Sequence, residues 1–325
     1  LIMLALTATL RPLTAFATPL AGDTLFGQLC WTIRHGWGEK RLVELLDGYT
    51  AGKPFLIVGD ALPSGFLPLP ALPSRHWQGG SDDPKERKAL KRIAWAPADL
   101  VTRPLASWRH QAKDCRPASA DFASRAQPRN SLNRLTGATG KGEGFSPYTV
   151  RQHWYGKDVQ LEVHLRLDTS RLSQDELTQA LAQLGLAGFG KDASVGLGKF
   201  EIVGIRALSL VVGQPDPDAW LTLGPCAPQG LAWNAARCFY RTLTRYGRHG
   251  DLAARGPSPF KAPILLVAAG ALLTPKAETD WARGWVGQGL GGDGSVSTSL
   301  PQTVHQGYAP ALPVRLPESL EKEGV

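Results

Sequence analysis

The sequence predicts an α+β fold for this chain of 325 residues, and three features predict it. A strand–helix–strand succession occupies residues 4–58, and a cleaner one occupies residues 159–205. Between them lies an insertion, at about 60–155, that neither unit needs. Two β-α-β units in series give the β-α-β-β-α-β order of a ferredoxin-like domain, the topology of RNA-recognition domains.

In chain order, Leu4, Leu6, Ala8 and Leu10 alternate with smaller residues and read as a strand. The stretch imitates a signal peptide, but Arg11 and Pro12 cut its apolar run short and no basic residues precede it. Asp23 then reads as the cap of a helix starting at Thr24. Leu25, Phe26, Leu29 and Ile33 form its apolar face. A second helix is expected over 39–48 and a short strand over 55–58.

The second unit carries stronger signals. Val159, Leu161, Val163, Leu165 and Leu167 alternate with polar residues, as in a strand with one wet face. Ser173 and Glu176 fit a capping box, with Leu172 and Leu177 as the hydrophobic staple. Leu177, Ala180, Leu181 and Leu184 line the helix, and Gly185 reads as its C-terminal stop. The loop GFGKDASVGLGKF (188–200) follows, and residues 200–205 return as a strand. Past 205 the pattern turns β-rich, with strands expected at 207–212, 220–223, 264–268 and 311–316. The division is therefore an N-terminal domain over 1–205 and a C-terminal one over 206–325.

Charge narrows the function. The chain carries a net +8 with pI near 9.4, which favours an acidic partner. Residues 75–143 hold 14 Lys and Arg against 7 Asp and Glu, so most of the surplus sits in the insertion. Trp77, Trp95, Trp108 and Phe122 imply that this segment packs on something. Four scattered cysteines, none in C-x-x-C spacing, fit a reduced, cytoplasmic protein. No window approaches the ~18 apolar residues of a membrane helix.

The glycine-rich loop offers backbone amides beside Lys191 and Lys199, an arrangement suited to an anion. Gly185, Gly190 and Lys191 satisfy G-x-x-x-x-G-K, yet position 192 is Asp and the order is helix–loop–strand, which excludes a P-loop. The G-x-G-x-x-G at 287–292 lacks its flanking strand and helix and is accidental. No metal-ligand spacing, no G-x-S-x-G and no H-E-x-x-H is present. Cofactor and metal are therefore expected to be absent. His153, Tyr155 and His164 are the candidates for general acid–base chemistry on RNA, though nothing in the spacing supplies any of them with a partner.

In 129–148, RNSLNRLTGATGKGEGFSPY, Arg129, Arg134 and Lys141 can reach phosphates and Asn130 and Asn133 can meet base edges. The glycines at 137, 140, 142 and 144 permit a hairpin tip. A third basic stretch interleaves Arg237, Arg241, Arg245 and Arg248 with Phe239, Tyr240 and Tyr246, which suits either a nucleic-acid surface or a solvated face.

The segments GDTLFGQLCW (22–31), FLIVGDALPSGFLPLPALP (55–73), RNSLNRLTGATG (129–140), GFGKDASVGLGKF (188–200), RCFYRTLTRYGRHGD (237–251) and LPQTVHQGYAPALPVRLP (300–317) together resemble the Csm subunit four family. Its members are RAMP-superfamily, Cas-five-like subunits of type III CRISPR effector complexes. The resemblance implies two ferredoxin-like domains, the first with an inserted β-hairpin thumb. It implies a non-catalytic subunit that binds the 5′ repeat-derived tag of the guide RNA and bridges the large polymerase/cyclase-type signature subunit to the RAMP backbone filament. Target RNA would be met only indirectly. The residues it points to are Asp23 and Thr24; Arg129, Asn130, Asn133, Arg134 and Lys141 in the thumb; and Gly190, Lys191, Ser194 and Gly196 in the loop. The competing reading is a metal-independent RAMP-type endoribonuclease that processes guide-RNA precursor.

Overall fold

The computed structural model describes residues 3–115, 117, 123–140, 145–208 and 214–320. Its strands run in chain order as β1 (Leu4–Pro12), β2 (Leu56–Pro63), β3 (Phe66–Pro68), β4 (Trp95–Pro97), β5 (Ala123–Arg129), β6 (Tyr148–Trp154), β7 (Leu161–Leu167) and β8 (Phe200–Ala207). The second half adds β9 (Ala219–Thr222), β10 (Thr242–Arg245), β11 (Ile264–Val267), β12 (Leu272–Leu273), β13 (Trp285–Gly287), β14 (Leu290–Gly291), β15 (Val304–His305) and β16 (Tyr308–Val314). The helices are α1 (Gly22–Trp37), α2 (Glu39–Leu46), α3 (Pro84–Leu90), α4 (Trp108–Gln111) and α5 (Gln174–Ala187).

The first sheet is antiparallel with order β2-β7-β1-β8, so each strand–helix–strand crossover skips one strand. Alternation along β7 buries Leu161, Val163, Leu165 and Leu167 on one face. Leu25, Phe26, Leu29 and Ile33 of α1 and Leu177, Ala180, Leu181 and Leu184 of α5 close the core against that face. The Ser173–Glu176 capping box forms in both directions. Gly185 does not end α5, which runs on to Ala187 and stops at Gly188. A Cβ at Gly185 would lie 2.2 Å from the Phe200 carbonyl oxygen, so this glycine serves the approach of α5 to β8.

The second sheet has order β12-β9-β16-β13, unlike the first. Among the described residues after 207 there is no α-helix, so a second β-α-β-β-α-β unit is not formed there. The insertion supplies one covering layer in its place. Leu67, Leu72, Trp77, Ala96, Leu100, Leu105 and Trp108 pack with Leu221, Leu223, Leu312 and Val314 in one core. Trp220, Val286, Ala309 and Ala311 form a separate cluster, as alternation along a strand requires.

Among the described residues, the expected hairpin is the later part of the insertion, β5 and β6, paired from Ala123↔Trp154 to Arg129↔Tyr148. Phe122, Lys141 and the glycines at 142 and 144 lie outside the described residues, as does most of the strand expected at 207–212. Among the described residues, no helix is long and apolar enough to cross a membrane.

Candidate nucleic-acid interface

The root of the hairpin, the segment at 13–18 and the glycine-rich loop meet at one end of the first sheet. Phe16 and His153 exchange both backbone hydrogen bonds, 2.9 and 2.8 Å, which fixes β6 to the segment after β1. Phe16 also meets Tyr155 edge-on at 5.8 Å and Phe189 at 6.5 Å, joining hairpin and loop through one buried ring. Arg129 Nη1 donates to Asp192 Oδ2 at 3.1 Å, both side chains about a quarter exposed, so the distal end of β5 is tied to the loop.

The loop is built to hold itself. The amide of Phe189 donates to the Gly198 carbonyl, and that of Gly198 to the Ala15 carbonyl at 2.7 Å. Gly190 donates to Gln28 Oε1 at 3.2 Å, Lys191 to Thr18 Oγ1 at 2.9 Å and Lys199 to Thr14 Oγ1 at 2.9 Å. The expected cradle of free amides is therefore largely spent on the protein itself. Positive φ at Gly188, Gly190, Gly196 and Gly198 lets the chain fold back on itself. A Cβ at Gly198 would sit 2.0 Å from the Phe189 carbonyl oxygen, which leaves room for no other residue. What the loop does present to solvent is the side chains of Lys191, Ser194 and Val195.

On the hairpin, the register puts Arg125, Arg129, Tyr148 and Trp154 on one face, with buried Val150 and Gln152 between them. Tyr148 and Trp154 are 47% and 44% exposed, so bases could stack there beside the exposed Arg125. Asn130 and Arg134 are exposed beyond β5. Asn133 is not free to read a base through its carbonyl: Oδ1 accepts from the Leu135 amide at 2.9 Å and shapes the tip.

Asp23 and Thr24 lie elsewhere, in the first turn of α1. Asp23 is not a cap, since the residue preceding the helix is Ala21 and no side chain caps the end. Its carboxylate is 1% exposed and takes two hydrogen bonds from Arg245, 2.7 Å from Nε and 2.9 Å from Nη2. His305 Nε2 stands 3.5 Å away. Burial alone would raise the Asp23 pKa, but His305 and Arg245 reverse this and hold it below the ordinary value. Nearby, Asp60 accepts from the Gly22 amide at 2.8 Å, and burial with the Asp23 charge pushes it up to about 7.

The candidate acid–base residues do not assemble. His164 pairs across β1 with Thr7, whose hydroxyl lies 3.2 Å from Nδ1, and burial pulls its pKa down to about 4. Thr7 is five residues from the end of β1, on the order of 16 Å of strand before Phe16 and His153 are approached. His153 is lowered by burial and then by Arg151, and Tyr155 is raised by burial.

Several anchors escaped the sequence reading. Thr14, Thr18 and Gln28 carry no local pattern, and the Asp23–Arg245 pair spans 222 positions. Asp192 had a usable signal as the only acid in the glycine loop.

An α+β protein with a basic hairpin rooted on a self-tied glycine loop is the class that fold and site define. No protein-family model and no curated protein sequence matches the chain. Solved structures do match. A chain of the Csm1–Csm4 cassette crystallised with pppApA aligns over 97% of this chain and 99% of its own, at 19% identity and TM-score 0.61. For the cassette with cA4 the coverage is the same, at 18% and 0.60. A chain of the Csm3–Csm4 subcomplex of the type III-A CRISPR-Cas interference complex aligns over 95% and 99%, at 12% and 0.58. Csm4 is the component these assemblies share, and the fold of this chain is Csm4-like.

Proposed function

We propose that the chain is a non-catalytic subunit of a type III CRISPR ribonucleoprotein effector in the cytoplasm. It binds the 5′ tag of the guide RNA and joins the large signature subunit to the RAMP backbone filament. Its first sheet is the ferredoxin-like platform, the β5–β6 hairpin is the thumb, and the glycine loop is the floor of the RNA path. The observation that carries this is the joint between thumb and loop. The Arg129–Asp192 ion pair and the shared Phe16 contacts tie the hairpin to the loop, and the two elements so joined carry exposed Arg125, Lys191 and Ser194 and half-exposed Tyr148 and Trp154. Cations for phosphates beside rings for bases are what a single strand needs.

The test is equilibrium binding of the purified chain to tag-bearing RNA across a salt series. About six phosphate contacts on a single strand give a log–log slope near −4, and a flat response sinks the proposal. Lys191→Ala with Arg134→Ala should weaken tag binding, and unchanged affinity would show that these side chains do not touch the RNA. Incubation with precursor RNA in chelator should leave it intact. Specific cleavage abolished by His153→Ala would overturn the non-catalytic reading.

A further inference from the structure

The third basic stretch of the sequence is not used by the thumb and loop. In the structure it becomes β10, which forms a two-stranded ribbon with β11, and the turn beyond it, with Phe239 bridged to Leu272 ahead of the ribbon. Alternation turns Tyr240, Thr242, Thr244, Tyr246 and Arg248 to solvent. Tyr246 is 77% exposed, Tyr240 49% and Phe260 66%. The Arg248 guanidinium lies 5.8 Å from the Phe260 ring centre, and Arg248 and Phe260 are bridge partners, so ring and cation stand at the same end of the ribbon. At the other end Tyr240 borders a cleft of about 320 Å³ lined with Trp233, Thr242 and Leu265.

Tyrosine, phenylalanine and leucine this exposed cost free energy in water and mark a surface that meets something. Charge says what. Residues 237–261 hold six Lys and Arg against one acid. Arg237 and Arg245 are engaged with Asp218 and Asp23; Arg248 donates Nη2 to the Ala254 carbonyl at 2.8 Å and stays exposed on the face that carries the rings, while Arg241 is exposed on the opposite side of the strand. A cationic ribbon with flat rings spaced along it matches a polyanion whose bases are unpaired. We infer that the outer face of the β10–β11 ribbon, from Tyr240 to Phe260, is a second binding surface for single-stranded RNA, separate from the thumb and loop. Tyr246 and Phe260 stack bases, Arg248 meets a phosphate, and the cleft beside Tyr240 admits one base.

The experiment uses the full chain and a fluorescein-labelled oligouridine carrying 4-thiouridine, crosslinked by light and mapped by mass spectrometry. Crosslinks at Tyr240, Tyr246 or Phe260 are expected. Crosslinks confined to residues 123–154 and 188–199 overturn this inference and leave the thumb reading standing; crosslinks confined to the ribbon do the reverse; no crosslink at either overturns both. In titrations, Tyr246→Ala should weaken binding of the same probe about tenfold and Tyr246→Ala with Phe260→Ala further, as the loss of stacked bases predicts. Tyr246→Phe should bind as the parent does. If the double variant keeps its RNA affinity but fails to associate with the other effector subunits, the ribbon is a protein interface and the inference is wrong.

Discussion

At the start of α1 two carboxylates that feel the same guanidinium have opposite fates. Asp23 takes both hydrogen bonds of Arg245 and stays charged; Asp60 takes only the Gly22 amide and faces the Asp23 charge, so its proton is held to about pH 7. The sign of the consequence follows from linkage. A carboxyl whose folded pKa is raised contributes stability that is present below its unfolded value and lost as pH rises to the folded one. Asp60 should therefore cost stability progressively between about pH 4 and pH 7. Asp60→Asn keeps an acceptor for the Gly22 amide and removes the ionisation. Its melting temperature should exceed the parent's by a margin that grows from pH 4 to pH 7 and is constant above. A margin independent of pH would mean that Asp60 ionises normally. None of this was legible in the sequence, where Asp23 has the form of a helix cap and its true partner is 222 positions distant.

At the scale of elements, legibility followed the range of the forces involved. The α5 capping box and the alternation of β7 are local rules, and both held. The end of α5 did not, because Gly185 is required by contact with Phe200 on another element. The glycine loop has the same lesson: its glycines look like room for a ligand and are used by the chain. That distinction can be measured. Gly196 has positive φ with nothing near its absent Cβ, so Gly196→Ala pays only the left-handed backbone cost of about 1–2 kcal/mol. Gly198→Ala pays the same cost and also drives a methyl into the Phe189 backbone. Denaturant titration should show Gly198→Ala clearly the less stable of the two. Equal losses would mean that the loop opens without disturbing the sheet, and that its amide bonds to Thr14, Thr18 and Gln28 are incidental.

Across the whole molecule the insertion read as one basic thumb proves to be two objects with different physics. Its first part is core: Trp108 is fully buried, donates Nε1 to the Arg103 carbonyl at 3.1 Å, and packs with the second sheet. Its tryptophans signalled this burial, but sequence could not say against what, since the partner strands come more than a hundred residues later. Its second part, the β5–β6 hairpin, contributes no residue to either main core and is held at its root by the Phe16–His153 pair. The two parts should therefore separate in experiment. Trp108→Ala empties a large core site and should cost about 3–5 kcal/mol, with RNA affinity per folded molecule unchanged. Excising residues 125–152 and closing the cross-strand pair Ser124 and His153 with Asn-Gly gives the strands a turn that matches their twist. That protein should keep a melting temperature within a few degrees of the parent and bind tag RNA more weakly and with a shallower salt dependence, because the framework is intact and the hairpin's cations and rings are gone. If the shortened chain unfolds, the hairpin belongs to the framework; if it folds and binds the tag as tightly as the parent, the RNA path lies away from the thumb.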